Sequence, residues 1–145
     1  MVRKRGKQIK HRAKSKPGLV VNQQDYEIQL RASVDAFRLG YAQASHYLDL
    51  RDCVDLITVA DAIGFAKKDD SALSAANLAC VALMNIRDRQ KETGKLDATG
   101  DELRALSLLI DASCDYWARR SGALYQYAYG EMQRVRASQM NDRVE

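Results

Sequence analysis

The first sixteen residues hold the densest set of side chains that could bind a ligand. They include eight Lys or Arg and no Asp or Glu. These residues are Arg3, Lys4, Arg5, Lys7, Lys10, Arg12, Lys14 and Lys16. Such a segment can neutralise backbone phosphates and release their condensed counterions, which gives salt-sensitive and sequence-tolerant affinity for DNA or RNA. No aromatic residue is interleaved with these cations, so we do not expect the segment to stack on bases.

A second set of side chains, near the end of the chain, combines aromatic rings with arginines. Its members are Tyr116, Trp117, Arg119, Arg120, Tyr125, Tyr127 and Tyr129. Tyr, Trp and Arg are the residue types enriched at the energetic centres of protein interfaces. Because the rings point in several directions around a helix, one core-facing stripe cannot take them all. We expect a partner or dimer surface here, with packing inside the chain as the alternative.

Residues suited to catalysis or metal binding are sparse. His46 lies seven residues before Cys53, but we expect the residues just after His46 to interrupt the helix, so no Cys-His pair is predicted. Asp49, Asp52 and Asp55 share a helical face, yet they lack the glycine turn of a calcium loop. We interpret them as a solvated face. The sequence therefore predicts no enzyme activity, no catalytic residue, no metal and no cofactor.

Length and composition fit a single helical domain. The 145 residues are 46% apolar and 29% charged and include a single Pro, which argues against collagen-like and wholly disordered chains. No apolar run approaches the roughly 20 residues of a membrane span, and the basic start lacks the apolar segment of a secretory signal. We expect a cytoplasmic protein without membrane association. Its three cysteines, Cys53, Cys80 and Cys114, are expected to be buried free thiols.

The sequence divides into an arm and a body at Lys16-Pro17-Gly18, which is a stop signal. Residues 1–18 are predicted to form a disordered basic arm, because they have too few apolar side chains to offset the entropy of ordering. Residues 19–145 are predicted to form a helical bundle domain. Beyond residue 16 the chain holds 15 basic and 19 acidic residues, so a basic arm precedes a mildly acidic body.

Apolar residues recur every three or four positions in four stretches of the body, which predicts an all-α bundle of about four helices. The predicted helices cover about residues 23–46, 50–65 and 71–92, followed by a long C-terminal helix that starts at Thr99. The third predicted helix has an alanine-rich face, which allows another helix to pack closely against it. We therefore expect the third helix to be the central one.

Thr99 and Glu102 have the spacing of a capping box at the start of the fourth helix. Its apolar register continues to Val135, which could sustain about 36 residues and a length near 54 Å. Ser121 and Gly122 leave open whether this helix is continuous or divided, since glycine costs roughly 1 kcal/mol in a helix interior.

The segment DATGDELRAL from Asp97 to Leu106 follows RDRQKETG at residues 87–94 and an Arg/Lys-rich start. These segments resemble small helical proteins of proteobacterial genomes, phages and mobile elements, some of which carry the label of Fis-type transcriptional regulators. The likeness covers about residues 25–138, and it implies a short accessory protein with no catalytic residues to transfer. A Fis-type DNA reader should end in a basic helix-turn-helix, whereas this chain is expected to end in one long aromatic helix.

Three functions are compatible with these patterns. The first is a non-enzymatic, nucleic-acid-associated accessory or regulatory protein of phage or mobile-element type, whose arm contacts the phosphates of DNA or RNA while the bundle forms a homo-oligomer. The alternative is a small phage-type inhibitor that binds a host defence protein through the aromatic and arginine surface of the last helix. A third is a structural scaffold component assembled through the long helix.

Overall fold

A computed structural model of the chain describes residues 23–64 and 69–144. In these ranges the backbone forms five α-helices and no β-strand. The helices are α1 (Gln23–Leu39), α2 (Ala44–Ile63), α3 (Asp70–Thr93), α4 (Gly100–Ala118) and α5 (Gly122–Val144). The all-α prediction is confirmed for the described residues. Their helices number five, where the sequence predicted about four.

The first predicted helix, residues 23–46, is divided because the chain turns at Gly40. Gly40 has a φ of 85°, a left-handed conformation that glycine adopts without steric penalty. The N–H groups of Gly40 and Tyr41 donate to the carbonyls of Phe37 and Ala36, respectively. This pair of bonds is the Schellman motif that ends many helices. The apolar spacing continues across the turn, so periodicity alone concealed the end of α1.

The second helix begins earlier than the sequence predicted and is continuous through the residues expected to interrupt it. In its first turn, Nδ1 of His46 accepts a hydrogen bond from the backbone N–H of Gln43 at 2.9 Å. The helix ends at Gly64, which has a φ of 77° and donates its N–H to the carbonyl of Asp61. Because α2 packs against each of the other four helices, it is the central helix, and the expectation that α3 would be central is wrong.

The third helix follows the prediction closely at both ends. The Asp69 carboxylate caps its start by accepting a hydrogen bond from the N–H of Ala72 at 3.0 Å. Gly94, with a φ of 78°, ends it. Of the small residues predicted to let another helix approach, Ala72, Ala76, Ala79 and Ala82 are buried, whereas Ala75 is partly buried and Cys80 is exposed. Helix α3 packs against α2 and α4, and such small side chains permit close helix approach.

The capping box predicted at the start of α4 is confirmed. The N–H of Glu102 donates to the Thr99 hydroxyl at 3.2 Å, and the N–H of Thr99 donates to the Glu102 carboxylate at 2.9 Å. The same carboxylate accepts two bonds from the Arg89 guanidinium, at 2.8 and 3.1 Å. Desolvation raises the pKa of Glu102, but the bonds from Arg89 and Thr99 outweigh it and leave the pKa below its ordinary value. The end of α3 is thereby tied to the start of α4.

The predicted long last helix is divided into α4 and α5, which are separated by residues 119–121. The Ser121 hydroxyl accepts a hydrogen bond from the N–H of Leu124 at 3.1 Å, and the Ser121 carbonyl accepts one from Tyr125 at 3.3 Å. Ser121 is therefore the N-cap of a new helix. Gly122 is the first residue of α5, so the break precedes it.

The core lies where α2 meets the other helices, and its largest fully buried apolar side chains include Leu50, Ile57, Leu106 and Ile110. Helix α5 packs mainly on α2 and contributes Ala128 and Met132 to this core. None of the described helices is both long enough and apolar enough to cross a membrane.

Candidate functional site

The eight cations predicted to bind nucleic acid, and the predicted arm of residues 1–18 that holds them, lie outside the described residues. The predicted site that can be placed is the aromatic and arginine cluster. It lies at the junction of α4 and α5.

Tyr116 and Trp117, in the last turn of α4, are buried within the chain. The Trp117 ring lies edge-on to the rings of Tyr116 and Tyr125, with centroid separations of 4.9 Å in both cases. In a continuous helix, Trp117 and Tyr125 would be separated by about 12 Å along the axis. The division of the predicted helix therefore creates this contact. Among the described residues, the indole Nε1 of Trp117 finds no hydrogen-bond acceptor.

A cluster of hydrogen-bonded polar side chains that no sequence pattern predicted lies beside these rings. The Tyr26 hydroxyl is hydrogen-bonded to Oγ of Ser113 at 3.0 Å and donates to Sγ of Cys53 at 3.6 Å. The Tyr26 ring also lies edge-on to Tyr125, with their centroids 6.2 Å apart. These groups come from α1, α2 and α4, and Tyr26 and Ser113 are 87 positions apart. The spacing of residues within one helix cannot predict a contact between positions so far apart in the sequence.

Burial raises the pKa of Tyr26 and Cys53 in this cluster and of the neighbouring Tyr125. Desolvation raises the pKa of the Cys53 thiol to about 11 and that of Tyr125 to about 12. It also raises the pKa of Tyr26 well above its ordinary value. A nucleophilic cysteine needs a lowered pKa and access to solvent. Cys53 has neither, and it serves as a packed, hydrogen-bonded thiol.

The prediction that all three cysteines are buried is wrong for Cys80, which is exposed. Cys80 lies on α3 next to the buried Ala79, and the intervening 100° of helix rotation turns it away from the core. Cys114 is partly buried. The prediction is confirmed for Cys53.

Both arginines of the cluster are engaged within the chain. Arg119 donates to the carboxylates of Asp69 at 3.0 Å and Asp115 at 2.8 Å, which ties the end of α4 to the cap of α3. The Arg120 guanidinium carbon lies 3.6 Å from the centroid of the Tyr116 ring, a cation–π contact. Arg120 also donates to the Tyr116 carbonyl at 2.9 Å. These contacts stabilise the junction of α4 and α5.

Two tyrosines of the predicted interface lie farther along α5. Tyr129 is partly buried against the core, as is Tyr125. Tyr127 is 50% exposed. Of the predicted interface residues, Tyr127 is thus the aromatic ring with the most surface to offer a partner.

The three aspartates of α2 do not form the solvated face that the sequence indicated. Arg136 of α5 places its two terminal nitrogens 2.8 Å from the Asp52 carboxylate and 2.6 Å from the Asp55 carboxylate. Asp49 accepts a hydrogen bond from the Gln29 side chain of α1 at 3.1 Å. The acidic residues therefore attach α5 and α1 to the central helix.

His46 and Cys53 lie on one unbroken helix, but about 10.5 Å of helix rise separates them. His46 caps α2 through its Nδ1, and Cys53 is bonded to Tyr26. In the part of the chain that the structure describes, no group of three or more His, Cys, Asp or Glu side chains could hold a metal ion.

A groove of about 400 Å³ runs between α1 and α4. It is lined by Arg38, Gly100, Leu103, Arg104, Ser107, Leu108 and Asp111. Its charged groups form ion pairs, Arg38 with Asp35, Arg104 with Asp101 and Asp111 with Arg31. A charged ligand in this groove would have to compete with those pairs.

Comparison of the chain with protein-family models, with curated proteins and with solved structures finds no match. The functional inference therefore rests on the chemistry of the residues themselves.

Proposed function

We propose that this protein is a non-enzymatic, nucleic-acid-associated accessory or regulatory protein of phage or mobile-element type that acts in the cytoplasm. Its basic arm contacts the phosphates of DNA or RNA. The observation that carries this proposal is the segregation of charge, with eight cations and no acid in the first sixteen residues and an excess of acids in the rest of the chain. A short cationic segment of this kind supplies sequence-tolerant, salt-sensitive affinity.

The ion pairs of the body support an assignment of phosphate binding to the arm. Most arginines in the part of the chain that the structure describes are paired with carboxylates. These are Arg31, Arg38, Arg51, Arg89, Arg104, Arg119, Arg134 and Arg136. A phosphate would have to displace a carboxylate to reach them, and the excess of acids would repel it. The eight arm cations face no such competition from acids within their own segment.

The alternative function, an inhibitor that binds a host defence protein through the last helix, has fewer side chains to work with than the sequence indicated. Tyr116 and Trp117 are buried, and Arg119 is paired with Asp69 and Asp115. Tyr127 remains the aromatic residue with substantial exposure among those predicted.

The proposal is tested by a variant in which all eight arm cations are changed to glutamine. Glutamine removes the positive charge but leaves a polar side chain that can still form hydrogen bonds. Because the residues are substituted and not deleted, the chain length is unchanged. Binding to fluorescently labelled duplex DNA and single-stranded RNA is measured by anisotropy at low and near-physiological salt. The wild-type chain should bind, and the arm variant should lose nearly all affinity at both salt concentrations.

A matched control changes exposed arginines of the body instead of the arm. Arg104→Gln and Arg134→Gln together remove two cations whose side chains are 75% and 68% exposed. This control should bind nearly as tightly as the wild-type chain. Equal affinity of the wild-type chain and the arm variant, or no binding by the wild-type chain at low salt, would overturn the proposal.

A further inference from the structure

The link between α4 and α5 differs from the turns that follow α1, α2 and α3. Those three helices are each followed by a glycine with left-handed backbone, at Gly40, Gly64 and Gly94, where φ lies between 77° and 85°. Helix α4 ends instead at Arg119, whose φ of −98° and ψ of 6° lie close to the right-handed helical region. A change in ψ of about 50° would make this residue helical.

The residues of this link are compatible with a continuous helix. They are Arg119, Arg120 and Ser121. Arginine is among the better helix formers, serine is intermediate, and no glycine or proline precedes Gly122 in the link. The Ser121 hydroxyl favours a new helix start, because it caps α5 by accepting a hydrogen bond from the N–H of Leu124 at 3.1 Å. The division of the two helices therefore depends on weak local preferences.

The apolar residues of α4 and α5 follow one register. Within each helix they recur at intervals of three or four positions, which places them along one stripe. Across the link, Trp117 and Leu124 are seven positions apart, so the register does not shift. The members of this series are Leu103, Leu106, Ile110, Cys114, Trp117, Leu124, Ala128, Met132 and Val135. A continuous helix over residues 100–144 would present one apolar stripe along about 67 Å.

Helix α5 is attached mainly to α2, whereas α4 packs on α1, α2 and α3. Ala128 and Met132 of α5 enter the core. Arg136 of α5 binds the carboxylates of Asp52 and Asp55 of α2 at 2.8 and 2.6 Å. Every copy of the chain carries the same surface on α2, so α5 of one copy can bind this surface on another.

We propose that two copies of the chain exchange α5. In this dimer α4 and α5 form one continuous helix, and α5 of each copy packs on α2 of the other. Such an exchange is a low-cost route to a dimer, because the contacts of α5 that are broken within a copy are re-formed between copies, and short links favour it. The edge-on contact of Trp117 with Tyr125 would then join two copies. This inference is independent of nucleic-acid binding, so its failure would leave the proposed function unaffected.

The first test changes the link and measures association by sedimentation velocity, after refolding from urea over a wide range of protein concentration. The wild-type chain should form monomer at low concentration and a growing fraction of dimer at high concentration. Gly122→Pro should keep the chain monomeric, because proline is accepted at the first position of a helix but breaks a helix interior. Space for the substitution exists, since an added Cβ at Gly122 meets no atom within 4 Å.

A second variant changes the link in the opposite sense. Ser121→Ala combined with Gly122→Ala removes the cap of α5 and the glycine from the continuous helix, and should raise the association constant by roughly 100-fold. The matched control is Gly130→Ala, because Gly130 also lies in α5 and an added Cβ there meets no atom within 4 Å. This control should associate like the wild-type chain. Circular dichroism should show that all variants are helical.

The second test distinguishes the exchange of α5 from any other dimer. Arg136→Glu and Asp52→Lys each place like charges between α5 and α2 of the same chain. When one chain of each variant exchanges α5, the new glutamate meets the new lysine, and the unchanged Arg136 meets the unchanged Asp52 and Asp55. Native mass spectrometry of the mixture should therefore detect roughly tenfold more heterodimer than either homodimer. The control is Arg134→Glu mixed with Asp52→Lys, which should show no such preference because Arg134 is 68% exposed and pairs with Glu131.

Three results would overturn the proposal. The first is a wild-type chain that stays monomeric after refolding at every concentration. The second is a Gly122→Pro variant that dimerises as strongly as the wild-type chain. The third is equal pairing of Asp52→Lys chains with Arg136→Glu chains and with Arg134→Glu chains.

Discussion

Replacement of Arg136 with methionine should weaken the attachment of α5 to α2. The Arg136 side chain is 28% exposed, and its terminal nitrogens lie 2.8 and 2.6 Å from the carboxylates of Asp52 and Asp55, whose side chains are about one third exposed. Fully exposed ion pairs contribute about 0–1 kcal/mol, whereas loss of one partner from a buried pair costs about 3–5 kcal/mol. The Arg136 site is partly buried, so the cost of losing the arginine should lie between those two limits. The arginine also pairs with two carboxylates and not with one. Since methionine keeps much of the apolar stem, Arg136→Met should lower the free energy of unfolding by about 2 kcal/mol.

The assay is urea unfolding followed by circular dichroism, with hydrogen exchange to locate the effect. Amide protection should fall chiefly in α5, because α5 packs mainly on α2. Arg134→Met is the matched control, since Arg134 is 68% exposed and pairs with Glu131 within its own helix turn; it should leave the free energy of unfolding nearly unchanged.

A second substitution separates charge from packing. Asp52→Asn added to Arg136→Met should restore part of the lost stability, because Asp52 loses its ion pair with Arg136 and would otherwise face Asp55, whereas Asp55 keeps an ion pair with Arg51. If Arg136→Met were as stable as the wild-type chain, or if protection fell equally in all helices, the assignment of Arg136 as the attachment of α5 would be refuted.

Five further substitutions test the structure elsewhere. Trp117→Ala should cost about 3–5 kcal/mol by chemical unfolding because it empties a buried site, while Tyr127→Ala should change stability by less than about 0.5 kcal/mol; similar losses would contradict their different burial. Gly130→Ala should raise stability by about 0.5–1 kcal/mol, because an added Cβ meets no atom within 4 Å in the helix interior. Gly94→Ala should lower stability by about 1 kcal/mol, because its φ is 78°; thermal melts that move both variants in one direction would contradict this. The lowered pKa of Glu102 adds stability that is present above its ordinary value of 4.5 and is lost as pH falls through the lower folded value. Glu102→Gln should therefore reduce stability at neutral pH and flatten its fall in acid, and an unchanged acid profile would contradict that sign.

The parts of the fold that depend on residues close together in the sequence were predictable. Thr99 and Glu102 cap α4 as their spacing predicted, and Gly64 and Gly94 end α2 and α3 with left-handed backbone. Four alanines of the predicted small-residue face of α3, Ala72, Ala76, Ala79 and Ala82, are buried. Each of these features depends on residues within one or two helix turns of one another.

What the sequence could not predict depends on contacts between distant residues or on a register that continues through a turn. Apolar spacing continued across Gly40, so two helices appeared as one. The Arg136–Asp55 bond joins residues 81 positions apart, and no local pattern distinguishes such an arginine from a solvated one. The rings of Trp117 and Tyr125 meet only because the chain turns between α4 and α5.

The central claim, that the arm binds nucleic-acid phosphates, is tested most directly by the salt dependence of binding. If all eight arm cations neutralise phosphates, the slope of log K against log salt concentration should approach about −7 on duplex DNA and about −6 on single strands. The variant with eight glutamines in the arm should give a slope near zero. The same steep slope in both proteins, or a shallow slope in the wild-type chain, would contradict the claim.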